Sequence, residues 1–191
     1  MRSFYRVAVL FAAGTVAWAA GRVLDINGQP VTPLHTAAKA AVLFFVSTDC
    51  PISNSFAPEI QRICGDYAAR GVGCSLVYED VQVDAAAVRK HLDEYGYGRI
   101  SALIDADRSV AGQVHATITP QAVVIDSAGK VRYRGRINNF YADLGKPRQI
   151  VTVHDVRDAL DAVIAGKTVA NPETRALGCY IVPPDILRKQ K

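Results

Sequence analysis

A chain of 191 residues, half of them hydrophobic and 21% charged, is long enough for one well-buried domain and short for two. Its formal charge of +4 includes Arg2 and Arg6, both in what reads as a removable leader, and without those two the mature chain stands near +2. That balance excludes the strongly basic surface that nucleic acid or an anionic membrane would select.

Residues 1–20 carry the three parts of a secretory signal: Arg2 and Arg6, then Val7-Ala8-Val9-Leu10-Phe11-Ala12-Ala13, then Ala17-Trp18-Ala19 before Ala20. The A-x-A ending places cleavage after Ala19, giving a signal peptide over 1–19. The apolar run is shorter than the roughly 20 residues that span a bilayer, so membrane attachment is expected only through an uncleaved leader. All four cysteines, Cys50, Cys64, Cys74 and Cys179, follow this segment. They are expected to mature in an oxidising compartment, periplasmic or extracellular, where disulfides persist.

Arg22-Val23-Leu24-Asp25-Ile26-Asn27-Gly28-Gln29-Pro30 predicts a short edge strand ending in an Asn-Gly turn. Residues 41–47 form a continuous apolar run, the pattern of a strand buried on both faces. Pro51 suits the first position of a helix, and Ile52, Phe56, Ile60 and Ile63 recur at helical spacing. Pro58, inside that pattern, predicts a kink. A strand is expected at 73–78, then a helix from Asp84 with Val88, Leu92 and Tyr95 on one face. Residues 102–105 read as a short strand, 109–114 as one or two helical turns, and 122–126 as another buried strand.

Ser127-Ala128-Gly129-Lys130 supplies turn chemistry for an antiparallel hairpin into Val131-Arg132-Tyr133-Arg134. Residues 137–151 read as loop. In the last helix Thr152 and Asp155 predict a variant capping box, Val156, Ala159, Leu160, Val163 and Ile164 make the apolar stripe, and Gly166 ends it. The globular domain is thus expected over 20–167, with an irregular C-terminal tail over 168–191.

Chemistry concentrates at Cys50, where the apolar run through Phe45 stops and a helix begins. A thiol there faces unpaired backbone N–H groups and the positive end of the helix dipole, both of which favour thiolate. Asp49 beside it opposes ionisation unless its carboxylate caps the helix. Four cysteines allow three complete pairings. Cys64 and Cys74 are close enough in sequence for a structural bridge worth about 2–3 kcal/mol, or they are small buried hydrophobes.

The order strand, Cys50, kinked helix with Pro58, strand, helix, Ile118-Thr119-Pro120, strand, hairpin and helix resembles the thioredoxin superfamily over roughly residues 40–166. That resemblance implies an α/β fold with a central mixed β-sheet flanked by helices, here with an N-terminal strand extension. It also implies a cis Pro120 facing the reactive cysteine, with Thr119 helping to shape a groove for a substrate chain. The motif Cys50-Pro51-Ile52-Ser53 departs from thioredoxin in placing serine where a resolving thiol is expected. Ser53 cannot resolve a mixed disulfide, although its hydroxyl can bond a thiolate. Cys50 therefore acts as a monothiol or is resolved from afar, and Cys179 is the candidate; the other reading has Cys179 stapling the tail.

The chain also resembles redoxins of the alkyl hydroperoxide reductase/thiol-specific antioxidant type. Ser47 stands for their threonine, but Leu43 occupies the proline position and the peroxide-orienting arginine is missing, leaving Arg134 or Arg136 as substitutes. The alternating Arg132, Arg134 and Arg136 otherwise read as a solvated edge. Copper-delivery relatives pair two nearby cysteines with a distant histidine; here Asn54 stands where the second sulfur is needed, leaving His115 and His154. The expected function is exported thiol–disulfide exchange without cofactor or metal, acting on protein thiols or disulfides with an external thiol reductant. Alternatives are reduction of a small peroxide at Cys50, or a non-catalytic binding or copper-binding module.

Overall fold

A computed structural model describes residues 23–182, so the expected leader lies outside the described residues. In chain order the elements are β1 (Val23–Asp25), β2 (Pro30–Val31), β3 (Ala40–Phe45), α1 (Pro51–Ser55), α2 (Ala57–Ala68), β4 (Val72–Tyr78), α3 (Ala85–Glu94) and β5 (Ser101–Ile104). They continue with α4 (Ser109–Gln113), β6 (Ile118–Thr119), β7 (Gln121–Asp126), β8 (Val131–Gly135), β9 (Tyr141–Asp143), β10 (Lys146–Pro147), α5 (Asp155–Ile164) and β11 (Cys179–Tyr180).

The main sheet has the order β2-β1-β5-β4-β3-β7-β8. β3 lies near its centre, parallel to β4 and antiparallel to β7, and every residue of β3 is buried. This explains its unbroken apolar run: each face of a central strand meets a helix layer rather than water. Ala40, Val42 and Phe44 join Ile60 and Ile63 of α2, Val88 of α3 and Leu160 of α5. Ala41, Leu43 and Phe45 face the other way, toward Val110 of α4 and Ile181 of the tail. The two layers fix β3 from both sides, and its C-terminal end delivers the Cys50 loop.

Four expectations are corrected. Pro58 does not kink one helix. It sits in the first turn of a second helix, where its missing N–H costs nothing, and the chain breaks at Phe56 because Pro58 has no N–H to offer the carbonyl of Asn54. The capping box does not form: His154 is the N-cap of α5 without a side-chain bond, and the Thr152 hydroxyl instead accepts from Asn139 Nδ2 at 2.8 Å. The 137–151 loop contains the β9/β10 hairpin. The tail is not wholly irregular, since Thr174 N–H donates to Arg134 O at 3.1 Å and β11 pairs antiparallel with β6.

Cys64 and Cys74 form a disulfide between α2 and β4, with Cα atoms 5.7 Å apart. It closes a loop with a sequence separation of 10. Replacing both cysteines by alanine is expected to lower unfolding stability by about 2–3 kcal/mol in a denaturant titration while leaving the reactivity of Cys50 intact.

Candidate active site

Cys50 is the N-cap of α1 in extended conformation, and its carbonyl accepts from Asn54 N–H at 2.9 Å. Its side chain is 1% exposed, and the thiol donates to Thr119 O at 3.4 Å. The Thr119–Pro120 peptide bond is cis. Cys50 and the Thr119-Pro120 step, 69 residues apart in sequence, therefore meet across the ends of β3 and β7.

Ser53 is fully buried, and its Oγ accepts from Ser47 N–H at 3.2 Å. That bond ties the preceding loop to the first turn of α1. Asp49 is exposed and makes no cap on α1.

Asn54, which stands where a copper site would need sulfur, has a structural role. Its Nδ2 donates to Thr48 O at 2.9 Å and to Tyr95 Oη at 3.1 Å, and its Oδ1 meets His91 Nε2 at 2.9 Å. His91 Nδ1 in turn meets Tyr78 Oη at 2.8 Å. Burial lowers the pKa of His91, favouring the neutral ring, with Nε2–H donating to Asn54 and Nδ1 accepting from Tyr78. This chain anchors the loop before Cys50 to α3 and β4. No spacing rule links positions 54, 78 and 91, so the sequence carried no signal for it.

The tail completes the site. Cys179 pairs with Thr119 and Tyr180 with Ile118, while Ile181 N–H donates to Thr117 O at 2.9 Å. Gly178 is required here: a Cβ at that position would lie 1.9 Å from Thr119 O. Ile181 is buried in the core, and Arg108, itself buried, donates from Nη1 to Val182 O. Cys179 is a free thiol, and it pairs with the same residue, Thr119, whose carbonyl accepts from Cys50. Desolvation first, then the neighbouring Cys50 and finally the charge of Glu79 push the Cys179 thiol up to about 11. A cavity of about 130 Å3 opens beside Pro120, with Phe56, Tyr141, Arg148, Arg175 and Leu177 in its walls.

The arginines on and just after β8 face other tasks. Arg134 pairs with Glu173 at 2.7 Å and donates to Val114 O, Arg136 pairs with Asp155 at 2.8 Å, and Arg132 pairs with Asp126 at 3.5 Å. Among the described residues no three His, Cys, Asp or Glu side chains come together as a metal site.

A buried, unbridged thiol at a helix start, facing a cis-proline step beside a mixed sheet, defines a thioredoxin-fold redoxin. The AhpC/TSA family matches residues 18–134, and the chain belongs to that family. It is similar to the crystal structure of a hypothetical protein of Sinorhizobium meliloti, with 28% identity, a TM-score of 0.71, and coverage of 84% of this chain and 88% of the other. An uncharacterized conserved protein of Geobacillus kaustophilus gives 25%, 0.72, 84% and 86%. A secreted disulfide oxidoreductase of Mycobacterium tuberculosis, homologous to DsbE of E. coli, shares the fold at 18% identity and a TM-score of 0.52, covering 77% of this chain and 96% of its own. No curated protein matches the sequence.

Two predictions test this geometry. Gly178→Ala is expected to lift the tail from Thr119 and speed alkylation of Cys50 by about tenfold or more, read by mass spectrometry after timed iodoacetamide treatment. Burial raises Glu79 from 4.5 to about 7. Its folded form therefore holds a proton that the unfolded chain has released, and this contribution to stability fades as pH rises from 4.5 to 7. Glu79→Gln is expected to remove that loss, raising Tm relative to wild type more at pH 8 than at pH 5.

Proposed function

We propose that this protein is an exported thiol–disulfide oxidoreductase in which Cys50 attacks and Cys179 resolves. The observation that carries the reading is the convergence of the two free thiols at one residue, since Thr119 accepts from Cys50 and pairs in register with Cys179. The Cys64–Cys74 bridge removes the other two sulfurs from the chemistry.

In the reductive direction the Cys50 thiolate attacks a substrate disulfide, forming a mixed disulfide and releasing one substrate thiolate. Cys179, as thiolate, then attacks the Cys50 sulfur, releasing the second substrate thiolate and leaving a bridge between Cys50 and Cys179. The substrate gains two electrons, the protein dithiol loses two, and an external thiol restores it. The cavity beside Pro120 is placed to take a side chain or small arm of the substrate. Ser53 supports the site by holding the loop before Cys50.

Membership in the AhpC/TSA family supports a second reading, peroxide reduction by the same pair. Cys50 would be oxidised to sulfenic acid with release of water or an alcohol, and Cys179 would condense with it, releasing water. Disulfide exchange is favoured because Arg134 and Arg136 are held by Glu173 and Asp155, away from the task of orienting a peroxide.

Unreduced peptide mapping is expected to find Cys50 bridged to Cys179 in the oxidised protein, and this bridge is expected to open with one equivalent of dithiol. Cys50→Ser is expected to abolish exchange with both a protein disulfide and a peroxide, whereas Ser53→Ala slows it only severalfold. Full exchange activity in the Cys50→Ser variant would overturn the assignment. Faster turnover of hydrogen peroxide than of any disulfide would transfer it to the second reading.

A further inference from the structure

The oxidised protein sets a steric condition on whatever reopens its bridge. β11 pairs with β6 through Cys179 and Tyr180, and Ile181 N–H donates to Thr117 O, so the backbone edge beside the cis Thr119–Pro120 bond is already taken. A bridge between Cys50 and Cys179 fastens the tail to that edge. A reductant that docked there by adding a strand of its own would have to displace the tail, pulling Ile181 out of the core and Val182 off Arg108. A small thiol needs only a path to the sulfur.

That path has a charged wall. Pro120, next to the carbonyl that holds Cys50, lines the cavity of about 130 Å3 together with Phe56 and Leu177. Sites for whole drug-sized ligands run to about 300–1,000 Å3, so this one suits a short arm of a few heavy atoms. Arg148, which follows β10, and Arg175, in the tail, also line it, and both are exposed. Neither guanidinium has an acidic partner among the described residues, whereas the other charged groups of the wall are engaged, Arg136 with Asp155 at 2.8 Å and Asp143 with Lys146 at 3.6 Å. Arg175 stands four residues before Cys179. Their Cα atoms are therefore at most about 14 Å apart, a span that a long guanidinium side chain and a short thiol arm cover together.

We propose that the external reductant of the Cys50–Cys179 bridge is a low-molecular-weight thiol bearing a carboxylate, which Arg148 and Arg175 bind while its sulfur attacks Cys179. This rests on Cys179 being the resolving thiol. Cys179 is the exposed member of the pair and Cys50 the buried one, so attack falls on Cys179. The reductant thiolate bonds to the Cys179 sulfur, the bridge breaks, and Cys50 leaves with the electron pair and takes the proton. A second molecule of the same thiol attacks the reductant's sulfur in that mixed disulfide, releasing Cys179, which is protonated in turn. The two thiols give up two electrons and two protons and leave as one disulfide. Guanidinium groups recognise a carboxylate through paired, charge-assisted hydrogen bonds, and because both arginines face water their attraction weakens with salt.

The test measures reduction of the oxidised full chain by mercaptopropionate, mercaptoethanol and mercaptoethylamine, read by quenched alkylation of Cys50 and mass spectrometry. Each rate is divided by that thiol's rate with hydroxyethyl disulfide, which cancels differences in intrinsic nucleophilicity. Mercaptopropionate is expected to exceed mercaptoethanol by about tenfold in low salt and by less than about twofold in about 1 M salt. Arg148→Gln with Arg175→Gln is expected to bring that ratio close to one. Arg148→Glu with Arg175→Glu is expected to reverse the order in favour of mercaptoethylamine, an outcome that an unfolded variant would not give. A ratio near one in the wild type, or an unchanged ratio in the double Gln variant, would overturn the carboxylate-bearing class and leave the bridge chemistry standing. Oxidised wild type without a Cys50–Cys179 bridge would overturn the resolving role of Cys179 and this proposal with it.

Discussion

The carbonyl group of Thr119 is the point on which the site depends. It accepts the Cys50 thiol from one side, and from the other the tail comes so close at Gly178 that no side chain fits. Packing against a backbone carbonyl leaves little tolerance, because neither the carbonyl nor the glycine can rotate aside as a long side chain would. The tail is therefore positioned by contact as well as by pairing, with Ile181 buried one residue past the strand and Arg108 holding Val182. Cys179 sits beside Cys50 as a consequence of these contacts.

The other half of the site is held by the sheet. β3 is buried on both faces, and the loop leaving it is tied down by Ser53 and by the chain from Asn54 through His91 to Tyr78. These bonds join α1, α3 and β4 around residues 47–50. A thiol on a loop fixed in this way meets its partner at a set distance, and the dipole of a five-residue helix needs only to bias its proton.

Residues whose environment follows from their own neighbours in sequence were legible. The all-apolar β3, the apolar centre of β7, the hairpin turn at 127–130, the start of α1 at Pro51 and the fold to which they belong could be read because period and turn chemistry are local properties. What was misread depended on distant partners. Thr152 looked like a cap, but Asn139 takes both its hydroxyl and its backbone N–H. The tail strand is two residues long, too short for any periodicity, and exists only because β6 offers it an edge. Ser53 accepts from the backbone N–H of Ser47, a bond that no motif announced. Glu79, next to Asp80, resembles the charged end of a strand turning into solvent, and only the fold reveals that it is buried.

The spacing of the four cysteines also bears on how the molecule assembles. Cys64 and Cys74 are 10 residues apart and lie on elements consecutive in the chain, so the loop between them closes early and at small entropic cost. Cys50 and Cys179 can meet only after β6 and β7 have joined the sheet and the tail has crossed back to them, a contact of far greater sequence separation that forms late. The local bridge thus withdraws two sulfurs from competition before the distant pair is brought together. When the tail finally docks, the only free thiol it can meet is that of Cys50.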